Sequence, residues 1–275
     1  MVVGLLMVGG GAAAGLFGSL LGLGGGVLLV PLLTLGFGLP LREAVGVSLV
    51  AVIMTSGAAA GVYLERHIAN LRLGMSLELF TAIGALVGGT IAFALDVRVL
   101  EGLFAALMVY VAITMLRRGM AEEAPVEVVD AASPPAPSGR RGSMLDRLSG
   151  EGYRVRRLGL GVVGATFAGI VSALLGIGGG IIKVPLMNLG MGVPLRIATA
   201  TSNLMIGITA AASAIIYLLR GEIDPYVAAP TAIGVFIGAS VGSRLGHRVD
   251  LRVLRWLFVL VLLYTALQML MKAVS

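Results

Sequence analysis

One stretch of this sequence occurs twice, and it is a stretch that interrupts helices within apolar surroundings. Residues 20 to 48 read LLGLGGGVLLVPLLTLGFGLPLREAVGVS, and residues 174 to 202 read LLGIGGGIIKVPLMNLGMGVPLRIATATS. At a constant offset, Gly22, Gly24, Gly25, Gly26, Pro31 and Ser48 meet Gly176, Gly178, Gly179, Gly180, Pro185 and Ser202. Such an internal duplication predicts two related halves. In each, a glycine run and a proline sit where a membrane helix would want neither, so each half should carry a broken or re-entrant helix at the same place.

That the surroundings are a membrane follows from composition. The 275 residues are 58% hydrophobic and 12% charged, about half the charge of a soluble domain. Several runs reach the roughly 20 apolar residues needed to cross a bilayer. The predicted fold is therefore an all-α polytopic membrane protein. Its net charge of +6 comes from arginines at segment ends and in one linker, which fits membrane topology and not a nucleic-acid partner. With no cysteine, disulfides and thiolate metal sites are excluded. Met1 to Leu21 lacks a basic start before its apolar run and reads as a retained span.

The chain divides into a first membrane repeat (1–116), a polar linker (117–157) and a second membrane repeat (158–275). The predicted spans of the first repeat are Val2–Leu21, Val45–Leu64, Leu73–Leu95 and Val99–Met115. Those of the second are Leu158–Leu175, Ala198–Leu219, Tyr226–Gly242 and Val253–Met271. Between break and next span lie Val27–Leu39 and Ile181–Val193, each 13 residues or about 20 Å as helix, too short to span comfortably. The linker carries Pro125, Pro134, Pro135 and Pro137, then Arg140, Arg141, Arg147, Arg154, Arg156 and Arg157; it reads as a flexible tether.

The arginine distribution puts the linker in the cytoplasm and both termini outside. Whether each glycine-broken pair crosses the bilayer twice or not at all, each half makes an odd number of crossings. The two copies then lie in opposite senses, an inverted repeat. Discontinuous helices at matching places in such a repeat place a transporter's site between the halves near the midplane.

Backbone N–H groups freed at Gly24, Gly25, Gly26 and at Gly178, Gly179, Gly180 would frame a pocket for an anion; the alternative is that these glycines serve only close helix packing. Lys183, one of two lysines, lies three residues after the second break, where charge is expensive and usually functional. It either faces substrate, pairs structurally or snorkels, and the first copy has Leu29 there. Ser48, Asn188, Thr201, Ser202 and Asn203 supply hydroxyls and amides suited to an oxyanion and equally to helix capping. Glu78 reads as interfacial and solvated, with a proton carrier as the second reading. Gly238 to Gly242 matches a nucleophile pattern but lies inside an apolar helix, so no enzyme is expected. The pairs Gly57–Gly61, Gly84–Gly88, Gly234–Gly238 and Gly238–Gly242 read as packing faces. No acidic or histidine grouping suggests a metal, and no cofactor is implied.

The doubled G-x-G-G-G-x-x-x-V-P-x-L pattern, Gly22 to Leu32 and Gly176 to Leu186, with Ala-Thr-Ser-Asn at 200–203, resembles the TauE/SafE family of membrane permeases, the sulfite exporter family. The resemblance covers nearly the whole chain outside the linker. It implies a secondary transporter of sulfite, organosulfonates or related small anions in a bacterial or archaeal inner membrane, with the lipid bilayer and a coupling proton or ion as further partners. An anion channel, or a transporter of another small organic anion, is the alternative.

Overall fold

The structure is a computed structural model; it describes residues 2–20, 26–65, 69–120, 149, 153, 155–245 and 251–274. Gly22, Gly24, Gly25, His67, His247 and most of the linker, Arg140 included, lie outside the described residues. The described residues form helices and no strand. The first half contains α1 (Val2–Leu20), α2 (Gly26–Pro31), α3 (Leu41–Glu65), α4 (Leu71–Ala94) and α5 (Val97–Met120). The second contains α6 (Leu158–Leu175), α7 (Gly180–Pro185), α8 (Leu195–Leu219), α9 (Pro225–Leu245) and α10 (Leu251–Val274). Both short helices end on a proline and continue into one π-helical turn, Leu32–Gly36 and Leu186–Gly190. Pro31 and Pro185 lack the N–H that would continue the α ladder, which accounts for the change of pitch.

Among the described residues, six helices are long and apolar enough to cross a membrane, and Val3–Ser19 and Gly26–Gly36 are shorter apolar helices. The burial pattern is that of a protein solvated by lipid. Leu79, Ile83, Val87, Leu260 and Leu263 are exposed, whereas Ser48, Glu78, Thr81, Lys183, Thr201 and Thr209 are buried. Polar groups turn inward because lipid offers them no hydrogen bonds. The chain is an integral membrane protein.

Each broken pair is a hairpin. In the second half, α6 ends on Gly176, and α7 doubles back along it, with Leu186 against Gly164 and Met191 against Gly161. The first half repeats this, with Leu32 against Gly10. The loops that follow match as well: Leu39 N–H donates to Leu33 O at 3.1 Å and Val193 N–H to Met187 O at 2.9 Å. Gly26–Gly36 and Gly180–Gly190 are each 11 residues, about 16 Å, roughly half the hydrocarbon thickness.

The halves interlock by exchange. α1 packs mainly on α9, α4 on α6, α3 on α8 and α5 on α10. The α1–α9 and α4–α6 contacts are backbone-close, because glycine stands on both surfaces. A side chain on Gly234 or Gly238 would collide with the carbonyls of Val8 or Ala12, and one on Gly84 or Gly169 with those of Thr166 or Thr81. Along both pairs the contacts advance in step, so the paired helices run parallel. α3 and α8 instead run antiparallel: Gly46 lies against Glu222 at one end, and Ser56 donates to Asn203 O at 2.5 Å further along. Gly57, expected on a packing face, opens onto empty space instead.

Candidate functional site

The two breaks meet. Gly176, Gly178 and Gly179 have φ of 69°, 78° and 75°, left-handed values that side chains rarely adopt. They carry the chain from the end of α6 into the start of α7. A Cβ on Gly26, at the start of α2, would lie 2.8 Å from Gly176 O and 3.2 Å from Ser48 Oγ. Ser48 Oγ donates to Gly176 O at 2.7 Å and stands 3.5 Å from Gly26 O, so one hydroxyl touches the break of each half. Gly178 is held between Val52 of α3 and Ile206 of α8, which are repeat counterparts.

Around Gly178–Gly180 the polar side chains gather. Ser172 of α6 and Ser202 of α8 are buried, and neither hydroxyl has a hydrogen-bond partner. A Cβ on Gly179 would stand 3.4 Å from both Ser172 Cβ and Lys183 Cε, and one on Gly180 would stand 3.7 Å from Ser202 Oγ. Unsatisfied buried hydroxyls are uncommon and costly, so a pair at one glycine turn is where an acceptor would bind.

Lys183 does not snorkel. It is 1% exposed, and its Nζ lies 3.2 Å from Glu78 Oε2 and 2.5 Å from Thr209 Oγ1. Thr209 Oγ1 also stands 2.6 Å from Glu78 Oε1 and 3.1 Å from Met205 O. Glu78 is 4% exposed, so the expectation of an interfacial, solvated carboxylate is corrected. Position along α4 misled: Glu78 is one full turn past the first turn, and the neighbouring α7 and α8 cover it. Thr209 falls midway along α8, so the ion pair sits well inside the helix bundle.

Other expected site residues have local roles. Asn188 Nδ2 donates to Val193 O at 2.9 Å, closing the loop before α8. Thr201 Oγ1 accepts from Asn70 N–H at 2.9 Å, fixing the start of α4, where Asn70 Oδ1 caps Leu73 N–H. Asn70 Nδ2 donates to the Tyr153 hydroxyl at 2.6 Å; burial raises the pKa of that phenol above its usual value. Asn203 is half-buried, and its backbone carbonyl accepts from Ser56. Gly24 and Gly25 lie outside the described residues.

Sequence reasoning missed Ser172 and Thr209, which look like any hydroxyl on an apolar helix. It also missed a second cluster. The guanidiniums of Arg42 and Arg220 stand 5.4 Å and 5.2 Å from the Phe93 ring centre, and Tyr217 packs beside the same ring at 5.1 Å. Among the described residues no group of three or more acidic or histidine side chains could hold a metal.

A duplicated all-helical membrane fold, with broken helices meeting around buried polar groups, is the architecture of a polytopic membrane transporter. The profile described as "Sulfite exporter TauE/SafE" matches residues 7–269, and the chain belongs to that family of membrane transporters. It is 23% identical over 274 residues to the probable membrane transporter protein YunE of Bacillus subtilis, covering 96% of each chain. A probable membrane transporter protein of Xylella fastidiosa strain 9a5c is 26% identical over 245 residues, 89% of this chain and 85% of that one. The sulfite exporter TauE/SafE family protein 1 of Arabidopsis thaliana is 37% identical over 94 residues, 34% of this chain and 20% of that one. No solved structure matches the chain.

Proposed function

We propose that this transporter carries a small sulfur-containing anion, sulfite or an organosulfonate, bound between two halves that run in opposite senses. The observation that carries the reading is the junction at Gly176–Gly180. There both breaks meet Ser48, and the unpartnered hydroxyls of Ser172 and Ser202 stand with Lys183 around one glycine turn. Hydroxyls, an ammonium and freed backbone N–H groups are donors, and a sulfonate or sulfite oxygen accepts several hydrogen bonds at once.

Opposite senses are supported by two pairings. The repeat counterparts α3 and α8 lie side by side antiparallel. α1 runs parallel to α9, while α9 follows α8 through the tight turn at Arg220–Asp224 and so runs back against it. The hydroxyl of Tyr217, at the end of α8, donates to Ala173 O at the end of α6, so α6 and α8 run together. α6 is then opposed to α1, its own counterpart. With the arginine-rich linker held in the cytoplasm, both termini lie outside.

Gly178 is closed between Val52 and Ile206, and this apolar seal favours a carrier over an open channel. Binding of sulfite, methanesulfonate, isethionate, sulfate and acetate to purified protein tests the substrate class. Tighter binding of the sulfur anions supports it, and preference for acetate or no binding at all removes it.

A further inference from the structure

Glu78 and Lys183 form an ion pair that the framing of an anion site does not require. We propose that this pair makes the transporter an anion–proton symporter, Glu78 taking up one proton for each monovalent anion that binds at Lys183. The inference rests on the anion site proposed above.

Glu78 and Lys183 are both buried, so charge has to balance within the site. Among the described residues the helices packed around Glu78 bring it one charged side chain, Lys183 of α7. α6 contributes no titratable side chain. On α8, Arg196 is exposed at the start and Tyr217 donates to Ala173 O; on α4 itself Arg72 is exposed. The empty site is therefore neutral, one carboxylate against one ammonium. An anion that draws the ammonium to itself leaves two negative charges facing one positive in a low-dielectric interior, and burying an uncompensated charge is strongly unfavourable. Protonation of Glu78 restores neutrality. The added proton forms one O–H bond on the carboxylate, and no other bond changes.

Geometry allows the exchange. Thr209 Oγ1 touches both partners, at 2.5 Å from Lys183 Nζ and 2.6 Å from Glu78 Oε1. A hydroxyl can rotate to donate to a carboxylate or to accept from a carboxylic acid, so Thr209 holds Glu78 in either state. The Lys183 Cε already lies beside Gly179, on the side of the unpartnered Ser172. A short swing of the ammonium away from Glu78 therefore takes it toward the free hydroxyl. Lys183 has Leu29 of the first half as its counterpart and Glu78 has Ala228 of the second, both buried in the apolar core. The two breaks are thus unequal in charge, and the second break alone carries the coupling.

The test measures protons taken up per anion bound. Methanesulfonate is the probe, because it stays ionised across the working pH range and any proton then belongs to the protein. Titration calorimetry of the full-length protein in two buffers of different ionisation enthalpy should give about one proton per anion. Linkage then makes the apparent affinity fall about tenfold for each unit rise in pH where Glu78 is ionised in the empty site. In Glu78→Gln the uptake should vanish and the remaining affinity should lose its pH slope; the neutral pair Glu78→Gln with Lys183→Gln should also show no uptake. In vesicles, a one-unit pH difference should drive about tenfold accumulation on the alkaline side, insensitive to an imposed membrane potential. Wild type that binds without proton uptake, or Glu78→Gln that keeps the uptake, overturns the inference while leaving the anion site intact. Wild type that binds neither methanesulfonate nor sulfite overturns the anion site and the inference together.

Discussion

Ser48 in the first half donates a 2.7 Å hydrogen bond to the carbonyl of Gly176 in the second, 128 residues away. Its repeat counterpart Ser202 is equally buried and donates to nothing. The same residue thus serves structure in one half and is free for a ligand in the other. Ser48→Ala strips a buried carbonyl of its donor and should lower stability by about 1–3 kcal/mol. Ser202→Ala removes a hydroxyl without a partner, so it should leave stability nearly unchanged and weaken anion binding. Thermal unfolding in detergent, paired with anion titration, separates the two.

The glycine turn allows a graded prediction. Gly178 has φ of 78°, and a Cβ there would lie 2.5 Å from Ile206 Cγ2 and 2.9 Å from Val52 Cγ1. Gly178→Ala should therefore abolish transport at unchanged membrane insertion, since strain and collision both fall at the junction. Gly57→Ala, on an open surface, should be benign. Transport rates normalised to membrane yield check both.

The Lys183–Glu78 pair changes what a single substitution means. Lys183→Met leaves Glu78 as an unpaired buried carboxylate, at a cost of about 3–5 kcal/mol. Adding Glu78→Gln should recover most of that loss, because the pair is replaced by neutral groups of similar size. Anion affinity should not recover with it and should stay about tenfold or more below wild type, the loss of one charge-assisted hydrogen bond. A double-mutant cycle on unfolding temperature and on affinity reads the two effects separately.

Reporter fusions at Ser138 and Ser275 test the sense of the halves. The linker should report cytoplasmic and the C-terminus external. Both on one side would be incompatible with an odd number of crossings per half.

Much of this molecule was legible in its sequence because the duplication writes the breaks twice. The spans predicted from apolar length match the helices to within about five residues. The short segments expected over Val27–Leu39 and Ile181–Val193 appear as α2 and α7, each cut short at its proline and extended by a π turn. What could not be read is which helix faces which. Sequence gives α4 and α6 as separate apolar runs, and only their glycine faces hint that they touch. The exchange packing that buries Glu78 against Lys183, 105 residues away, has no local signature. For the same reason nothing local said that Thr201 and Asn188, which read equally as ligands or caps, hydrogen-bond to neighbouring loops, or that Ser172 and Thr209, which looked ordinary, stand beside the glycine turn and the ion pair.

The proposed function requires the two glycine breaks to frame one saturable anion site in a carrier. Counterflow in proteoliposomes measures whether they do. Vesicles loaded with unlabelled sulfite should take up labelled sulfite faster than empty vesicles, with a rate that saturates and that falls in Gly178→Ala. Uptake that rises linearly with concentration and ignores the internal anion would contradict the carrier, and equal counterflow by Gly178→Ala would contradict the site.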